Sequence, residues 1–232
     1  MSESDTAVGS VTEKDEPYRA TFREYVEAIY ELQEEGIEPI QARIGDWLGV
    51  SRPSVSEMVH RMETEGLVAV DRAITLTAEG RHLAEVVVRR HRLAERFLAE
   101  ILGLPWVKVH HEAETWEHMI SADVEEAMWR VLGDPKTCPH GNPIPGAGYK
   151  PPRMKPISAM DVDEVGRLER ISEELELEDE TMDFLDKAGL RPGAIVHMSG
   201  RSPHGAFTVQ VLGGEAVGLG DFVAHRVFIA LV

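Results

Sequence analysis

The chain has 232 residues, 43% of them hydrophobic, a formal net charge of −17 and a single cysteine. That length exceeds one small core, so two or three domains are expected, and one cysteine excludes an internal disulfide or a thiolate zinc site. The acidity excludes a non-specific nucleic-acid binder, which needs a basic surface, but leaves room for a specific one with a local contact patch.

Residues 1–17 are polar and charged without periodicity, which predicts a disordered tail. They lack the basic and apolar regions of a signal peptide, and no apolar run approaches a membrane span. The expectation is a cytoplasmic protein with no membrane partner. From Tyr18 to Glu35, Phe22, Tyr25, Val26, Ile29 and Leu32 recur at helical spacing, and Gly36 stops the helix.

A compact pattern follows. Ile40 to Leu48 reads as a short helix with Ile40, Ile44, Trp47 and Leu48 inward. Gly49 and Val50 turn the chain, and Ser51 caps a second helix carrying Val55, Met58, Val59 and Met62. Leu67–Val70 and Ile74–Thr77 alternate around Asp71–Arg72 like a small hairpin. Helix, tight turn, helix, hairpin is the outline of a winged helix-turn-helix. Its second helix would offer Ser51, Arg52, Pro53, Ser54, Ser56 and Glu57 to base edges, with Arg43 and Arg72 flanking as backbone contacts. Glu57 accepts from cytosine but repels phosphate. A three-helix packing unit without a DNA role is the alternative.

Thr77 caps a long helix from Ala78 to about Leu102, and Pro105 restarts the next after Gly103. Ser121 caps one more, Ala122 to Leu132. Gly133 to Pro156 is rich in Pro and Gly and reads as loop and linker. Beyond it, Val162–Leu168, Ala194–Met198, Ala206–Leu212, Ala216–Leu219 and Arg226–Val232 read as short strands, with a helix over Asp179–Lys187. Short strands at regular spacing predict a small β-barrel.

Ligand-type residues recur on three of these helices. His110, Glu114, Glu117 and His118 fall on one helical stripe; His91 and Glu95 are i,i+4; Glu24 and Glu27 are i,i+3. Imidazoles and carboxylates form a hard donor set that suits Mn²⁺ and also Fe²⁺. Carboxylates gathered without a cation repel by about 4 kcal/mol per pair at ~4 Å and an effective dielectric of ~20. Such sites are loose when empty and tighten when filled, which is the electrostatics of a switch.

Other motifs are weaker. His111-Glu112-x-x-Thr115 departs from the zinc-protease HExxH at its last position. Glu57-x-x-His60 and Glu79-x-x-His82 match the Glu-x-x-His element of di-iron bundles, but Glu57 sits on a short helix. Cys138-Pro139-His140 reads as a structural loop, and His197, His204 and His225 as surface residues. A His/Glu metalloenzyme and a metal-storage protein are the readings from other classes.

The stretches AIYELQEEG, ARIGDWLGVSRPSVSEMVHRMETEGLV, LTAEGRHLAEVVVRRHRLAERFL, KVHHEAETWEHMIS and GNPIPG together resemble the diphtheria toxin repressor family of metal-dependent regulators, over about 22–232. The resemblance implies a mainly α chain: a winged helix-turn-helix (18–77), a helical metal-binding and dimerisation domain (78–145), a linker (146–158) and an SH3-like domain (159–232). It implies a homodimer on double-stranded operator DNA, with no small organic substrate and no enzymatic activity. It also implies two metal sites per subunit: Glu24, Glu114, Glu117 and His118 at one, and His91, Glu95 and His110 at the other. In that pattern Glu27 bridges, and Glu173 and Glu176 reach back from the last domain. Where the iron-responsive branch carries Met and Cys, this chain has Glu24 and Glu114, as in the manganese transport regulators. The SH3-like domain, in contrast, is typical of the iron branch. The expected function is a Mn²⁺-activated repressor, with an Fe²⁺-dependent repressor as the alternative.

Overall fold

The computed structural model describes residues 16–202 and 205–231, with side chains from residue 21 onward. Most of the expected tail, and His204, lie outside the described residues. Helix α1 (Glu16–Glu34) buries Phe22, Tyr25, Val26, Ile29 and Leu32 as its periodicity requires, and Gly36, at φ 70°, ends it where a side chain would be strained. Helix α2 (Gln41–Leu48) and helix α3 (Arg52–Thr64) pack on it through Ile44, Val55, Met58, Val59 and Met62. Ile40, expected inward, is instead the residue preceding α2 and is 37% exposed. Ser51 caps α3 by accepting from the Ser54 amide at 3.4 Å.

Strands β1 (Val68–Val70) and β2 (Ile74–Leu76) form the antiparallel wing, with Val68 opposite Leu76 and Val70 opposite Ile74. Thr77 then opens helix α4 (Ala78–Glu100): its hydroxyl accepts from the Gly80 amide at 3.1 Å and donates to the Gly66 carbonyl at 2.6 Å. A 3₁₀ turn (Trp106–Lys108) leads into helix α5 (Val109–Trp116), and helix α6 (Ala122–Leu132) follows. These helices close a second core around Ala94, Leu98, Val109, Ala113, Ile120 and Met128.

The last part is a six-stranded antiparallel sheet in the order β3 (Lys155–Pro156), β8 (Val227–Leu231), β4 (Val165–Ile171), β5 (Ile195–Arg201), β6 (Phe207–Val211), β7 (Ala216–Leu219). Short helices α7 (Glu173–Glu176), α8 (Asp179–Lys187) and α9 (Asp221–Ala224) cover it. The expected barrel is corrected here: the sheet is SH3-like but does not close. The terminal strands β3 and β7 share no ladder, and β3, with two residues, is too short to carry one around. β3 pairs with β8 inside the stretch read as linker.

The three parts are tied together. Trp106, from the helical domain, sits in the core of the sheet domain and donates its indole N–H to the Pro139 carbonyl at 3.1 Å. Arg170 on β4 reaches Glu35, just past α1, at 3.1 Å. Gly141, at φ 93°, lets the loop before β3 lie against β4; a Cβ there would stand 2.0 Å from the Glu169 carbonyl oxygen. No helix among the described residues is long and apolar enough to cross a membrane.

Candidate metal centre

Four helices and one loop converge on a set of imidazoles and carboxylates. Helix α1 presents Glu24, Glu27 and Glu31 at i, i+3 and i+7, one stripe of its surface. Helix α4 presents His91 and Glu95, and α5 presents His110 and Glu114. Glu117 caps α5 in a helical conformation and stays on its stripe. His118 does not: the helix ends at Trp116, and His118 lies in the turn before Ser121 caps α6. Helix α7 adds Glu173 and Glu176. A cavity of about 360 Å³ opens among them, lined by Glu24, Glu27, Glu31, His91, His110, Glu114, Glu117, His118 and Glu173, with Trp47 and Leu48 of α2.

Within this assembly, potential ligand atoms lie within 4.8 Å of one another in four groups: Glu27, His91 and Glu117; His91, His110 and Glu173; Glu95, His110 and Glu176; and Glu95, Cys138 and His140. Glu24, Glu114 and His118 are exposed and stand on the outer wall of the cavity, beyond these tight groups. The structure thus brings His91, Glu95 and His110 together with Glu173 and Glu176, and sets Glu27 beside Glu117.

Cys138 and His140, read from sequence as part of a structural loop, are both buried and face the same cluster. His140 Nε2 lies 3.2 Å from the Trp106 carbonyl, which fixes it as the donor nitrogen, and turns Nδ1 toward Glu176 at 2.6 Å and Glu95 at 3.1 Å. Glu31 was also missed, although its spacing from Glu24 and Glu27 marks the same face.

The donor chemistry fits a divalent cation. Both oxygens of Glu95, Oε1 of Glu173, Oε2 of Glu176 and Nε2 of His110 are buried without an aligned hydrogen bond. Leaving one such atom unsatisfied costs about 1–3 kcal/mol, and more when it is charged. Glu95 Oε1 has three imidazole nitrogens around it, at 3.1 Å (His140), 3.6 Å (His110) and 3.7 Å (His91). His91 Nε2 and His110 Nδ1 face each other at 3.1 Å.

The fields are strong. Burial lifts Glu27 and Glu31 well above the usual carboxylate range, with Glu117 adding to the first and Glu173 to the second. Burial works against protonated imidazole at His91, His110 and His140, but the carboxylates outweigh it. Glu117 and Glu95 hold His91 well above its ordinary value, Glu176 and Glu95 raise His110 to about 10, and the same two glutamates hold His140 high. Burial raises Glu176, whereas at Glu95 the surrounding imidazoles overcome burial and hold it low. Protons here do the charge balancing that a cation would take over.

In the N-terminal domain, Arg52, Pro53, Ser56 and Glu57 are exposed on the first turns of α3, Arg43 is exposed on α2, and Arg72 is exposed in the turn between β1 and β2. Ser51 and Ser54 are exposed but engaged in the cap, with their hydroxyls 2.8 Å apart.

Comparison with known proteins agrees over most of residues 19–231. Residues 19–73 match the iron dependent repressor N-terminal DNA binding domain, residues 77–146 the iron dependent repressor metal binding and dimerisation domain, and residues 155–231 the FeoA domain. The iron-dependent repressor IdeR of Mycobacterium tuberculosis is 39% identical over 227 residues, covering 89% of this chain and 95% of the relative. The diphtheria toxin repressor of Corynebacterium diphtheriae is 40% identical over 218 residues, with the same shares covered. Among solved structures, a manganese-dependent transcriptional repressor in complex with manganese superposes with a TM-score of 0.83 at 30% identity, covering 91% of this chain and all of that one. A helix-turn-helix followed by a carboxylate–imidazole cluster and an SH3-like domain, each matched in order, places this chain in the iron-dependent (diphtheria toxin) repressor family of metal-dependent transcriptional regulators, which are not enzymes.

Proposed function

We propose that this repressor is activated by Mn²⁺ at two sites per subunit and binds its operator as a homodimer. The observation that carries the reading is the donor set: the cavity joins α1 of the DNA-binding domain to α4, α5 and α7 through oxygen and nitrogen donors. Glu24, Glu114, Glu117 and His118 would hold one ion. His91, Glu95 and His110, with Glu173 and Glu176, would hold the other, and Glu27 would stand between them. The bound ion supplies positive charge that pulls α1 onto the helical domain. That sets the spacing of two α3 helices to successive major grooves. Ser51, Arg52, Pro53, Ser54, Ser56 and Glu57 would face the bases, with Arg43 and Arg72 on the backbone. The domains would run 18–77, 78–145 and 159–232, joined by a linker over 146–158. Ile101, Leu102, Met119, Val124 and Val131 are exposed apolar residues of the helical domain that a second copy would cover. A protein acting on operators works beside the chromosome, in the cytoplasm.

An Fe²⁺-responsive repressor is the second reading. The thiol of Cys138 beside Glu95 and His140 favours it, as does the iron named in the relatives. A gel shift on a palindromic fragment from the upstream region, titrated with Mn²⁺, anaerobic Fe²⁺ and Zn²⁺, decides between them. Glu114→Ala is expected to abolish metal-dependent operator binding while the dimer stays folded; operator binding by that variant at wild-type metal affinity refutes the ligand set. Glu24→Met with Glu114→Cys is expected to move the response toward Fe²⁺ or Co²⁺, and an unchanged metal ranking refutes the selectivity argument.

A further inference from the structure

Trp47 lies at the C-terminal end of α2, one residue before the Leu48–Gly49 stop and beside the turn into α3. Its indole N–H donates to Glu31 Oε2 at 3.1 Å. Glu31 is 8% exposed, sits one helical turn below Glu27, and forms the wall of the ligand cavity together with His91 and Glu173. It belongs to none of the four tight ligand groups. One carboxylate oxygen is thus committed to the helix-turn-helix, while the group itself stands in the field of the metal cluster.

The rest of the motif moves with Trp47. Ile44 and Gly45 of α2 are buried, and Ile44 shares a core with Val55, Val59 and Met62 of α3. The Val50 amide bonds to the Gly45 carbonyl at 3.0 Å, closing the turn between the two helices. A pull on the indole is therefore a pull on the α2–turn–α3 unit rather than on one side chain. An indole N–H is a donor only, so the bond has one polarity and one geometry, and a ring held at its N–H is held in orientation as well.

We propose that Glu31 and Trp47 form the joint through which the metal cavity sets the position of α2 and the recognition helix α3, with Glu31 acting as a positioning residue and not as a ligand. A cation entering among Glu27, His91, Glu117 and Glu173 would draw on Glu27, one turn along α1 from Glu31, and the Glu31–Trp47 hydrogen bond would carry the resulting shift of α1 to the end of α2. Coupling of this kind is a free energy shared between the two binding events, so removing it lowers the metal-induced gain in operator affinity without removing a ligand.

The inference rests on the metal-activated reading, and the test separates the two. Trp47→Phe keeps the aromatic packing and loses the donor. Glu31→Gln keeps an acceptor for the indole and loses the charge a ligand would need. Calorimetry with Mn²⁺ alone, without DNA, is expected to give metal affinities within about threefold of wild type for both variants. In operator titrations the metal-induced gain is expected to fall about tenfold in Trp47→Phe, equal to ~1.4 kcal/mol for one buried hydrogen bond, and to stay within about threefold in Glu31→Gln. A full gain in Trp47→Phe overturns the joint, as does a tenfold loss of metal affinity in Glu31→Gln, which would make Glu31 a ligand. A Glu31→Gln gain that falls as far as that of Trp47→Phe overturns it too. Wild-type protein that ignores metal overturns the broader reading instead. Should Trp47→Phe fail to fold, the ¹⁵N-indole resonance of Trp47 in the wild-type chain gives the answer during titration with diamagnetic Zn²⁺. It is expected to shift, and a signal unmoved at saturation overturns the proposal.

Discussion

Arg92 offers the sharpest test of how the three domains are held, because it is not a ligand. Its side chain is 1% exposed at the centre of α4 and meets three partners from three places. Nη2 and Nη1 grip Glu34 of α1 at 2.6 and 3.1 Å, Nη2 reaches Glu173 of α7 at 3.1 Å, and Nη1 donates to the Pro143 carbonyl. Arg92→Met keeps the stem volume and removes the charge. Glu34, 21% exposed, turns back to water at little cost. Glu173, 3% exposed, cannot. Removing one partner of a buried pair costs about 3–5 kcal/mol, a large share of a total stability of about 5–15 kcal/mol. Equilibrium urea unfolding in chelator should show that loss as a lower midpoint. Arg92→Lys, a point donor that cannot span three acceptors, should fall between. Adding Glu173→Gln to Arg92→Met should return about 2 kcal/mol or more, because the charge that made the vacancy costly has gone. A loss below about 1 kcal/mol, or a strictly additive cycle, would refute the claim that Glu173 is held in place by Arg92.

Three further outcomes follow from groups whose surroundings are on the page. Burial pushes Glu35 up to about 7 even with Arg170 beside it. The unfolded chain therefore releases this proton near pH 4.5 and the fold keeps it to about 7, so stability drops over that window by about 3 kcal/mol as pH rises. Glu35→Gln should flatten the drop in pH-resolved thermal melts, and an unchanged slope would discard the assignment. His110, raised to about 10, has the same sign: its contribution to the ion-free fold is complete below about 6.5 and is lost as pH climbs through 10. A metal must displace that proton, so calorimetry in two buffers of different ionisation heat should find at least one proton released per ion, with zero release as the contrary result. Gly141→Ala should cost about 2–5 kcal/mol through its left-handed backbone and the clash with the Glu169 carbonyl. Gly148→Ala, at φ 65° with open space around it, should cost only about 1–2 kcal/mol. Equal melting shifts for the two would mean the loop simply moves aside.

The helices of the first two domains were legible because their signals are local. Phe22 to Leu32 follow a 3.6-residue period, and Ser51, Thr77 and Ser121 stand at caps that the structure realises. Ligand pairs within one helix were legible for the same reason. What composition and periodicity do not encode is which helix faces which. Cys138 and His140 occupy a loop without period, and only the docking of that loop under β4, allowed by Gly141, turns them toward Glu95. Helix α7 is four residues long, too short to leave a periodic trace, so Glu173 and Glu176 came from resemblance alone. Closure of the sheet failed as an expectation because strand spacing reports how many strands exist, whereas closure depends on a terminal pairing that β3 is too short to make.

The carboxylate stripe of α1 divides into two halves with different partners, and the division says where a cation acts. At the C-terminal end, Glu34 is held by Arg92, Glu35 by Arg170 and Glu31 by Trp47. Toward the N-terminal end, Glu27 meets His91 and Glu117, and Glu24 is exposed; among the described residues neither is paired with an arginine or lysine. Arginines already face Glu34 and Glu35 in the lower half, so an added ion would gain most at the upper half, where among the described residues no arginine or lysine pairs with Glu24 or Glu27. A helix fixed at one end and drawn at the other pivots rather than slides. On the metal-activated reading, an ion would swing the N-terminal half of α1 about the anchor made by Glu34 and Glu35, and the helix-turn-helix, joined to α1 at Glu31 between the two, would turn with it.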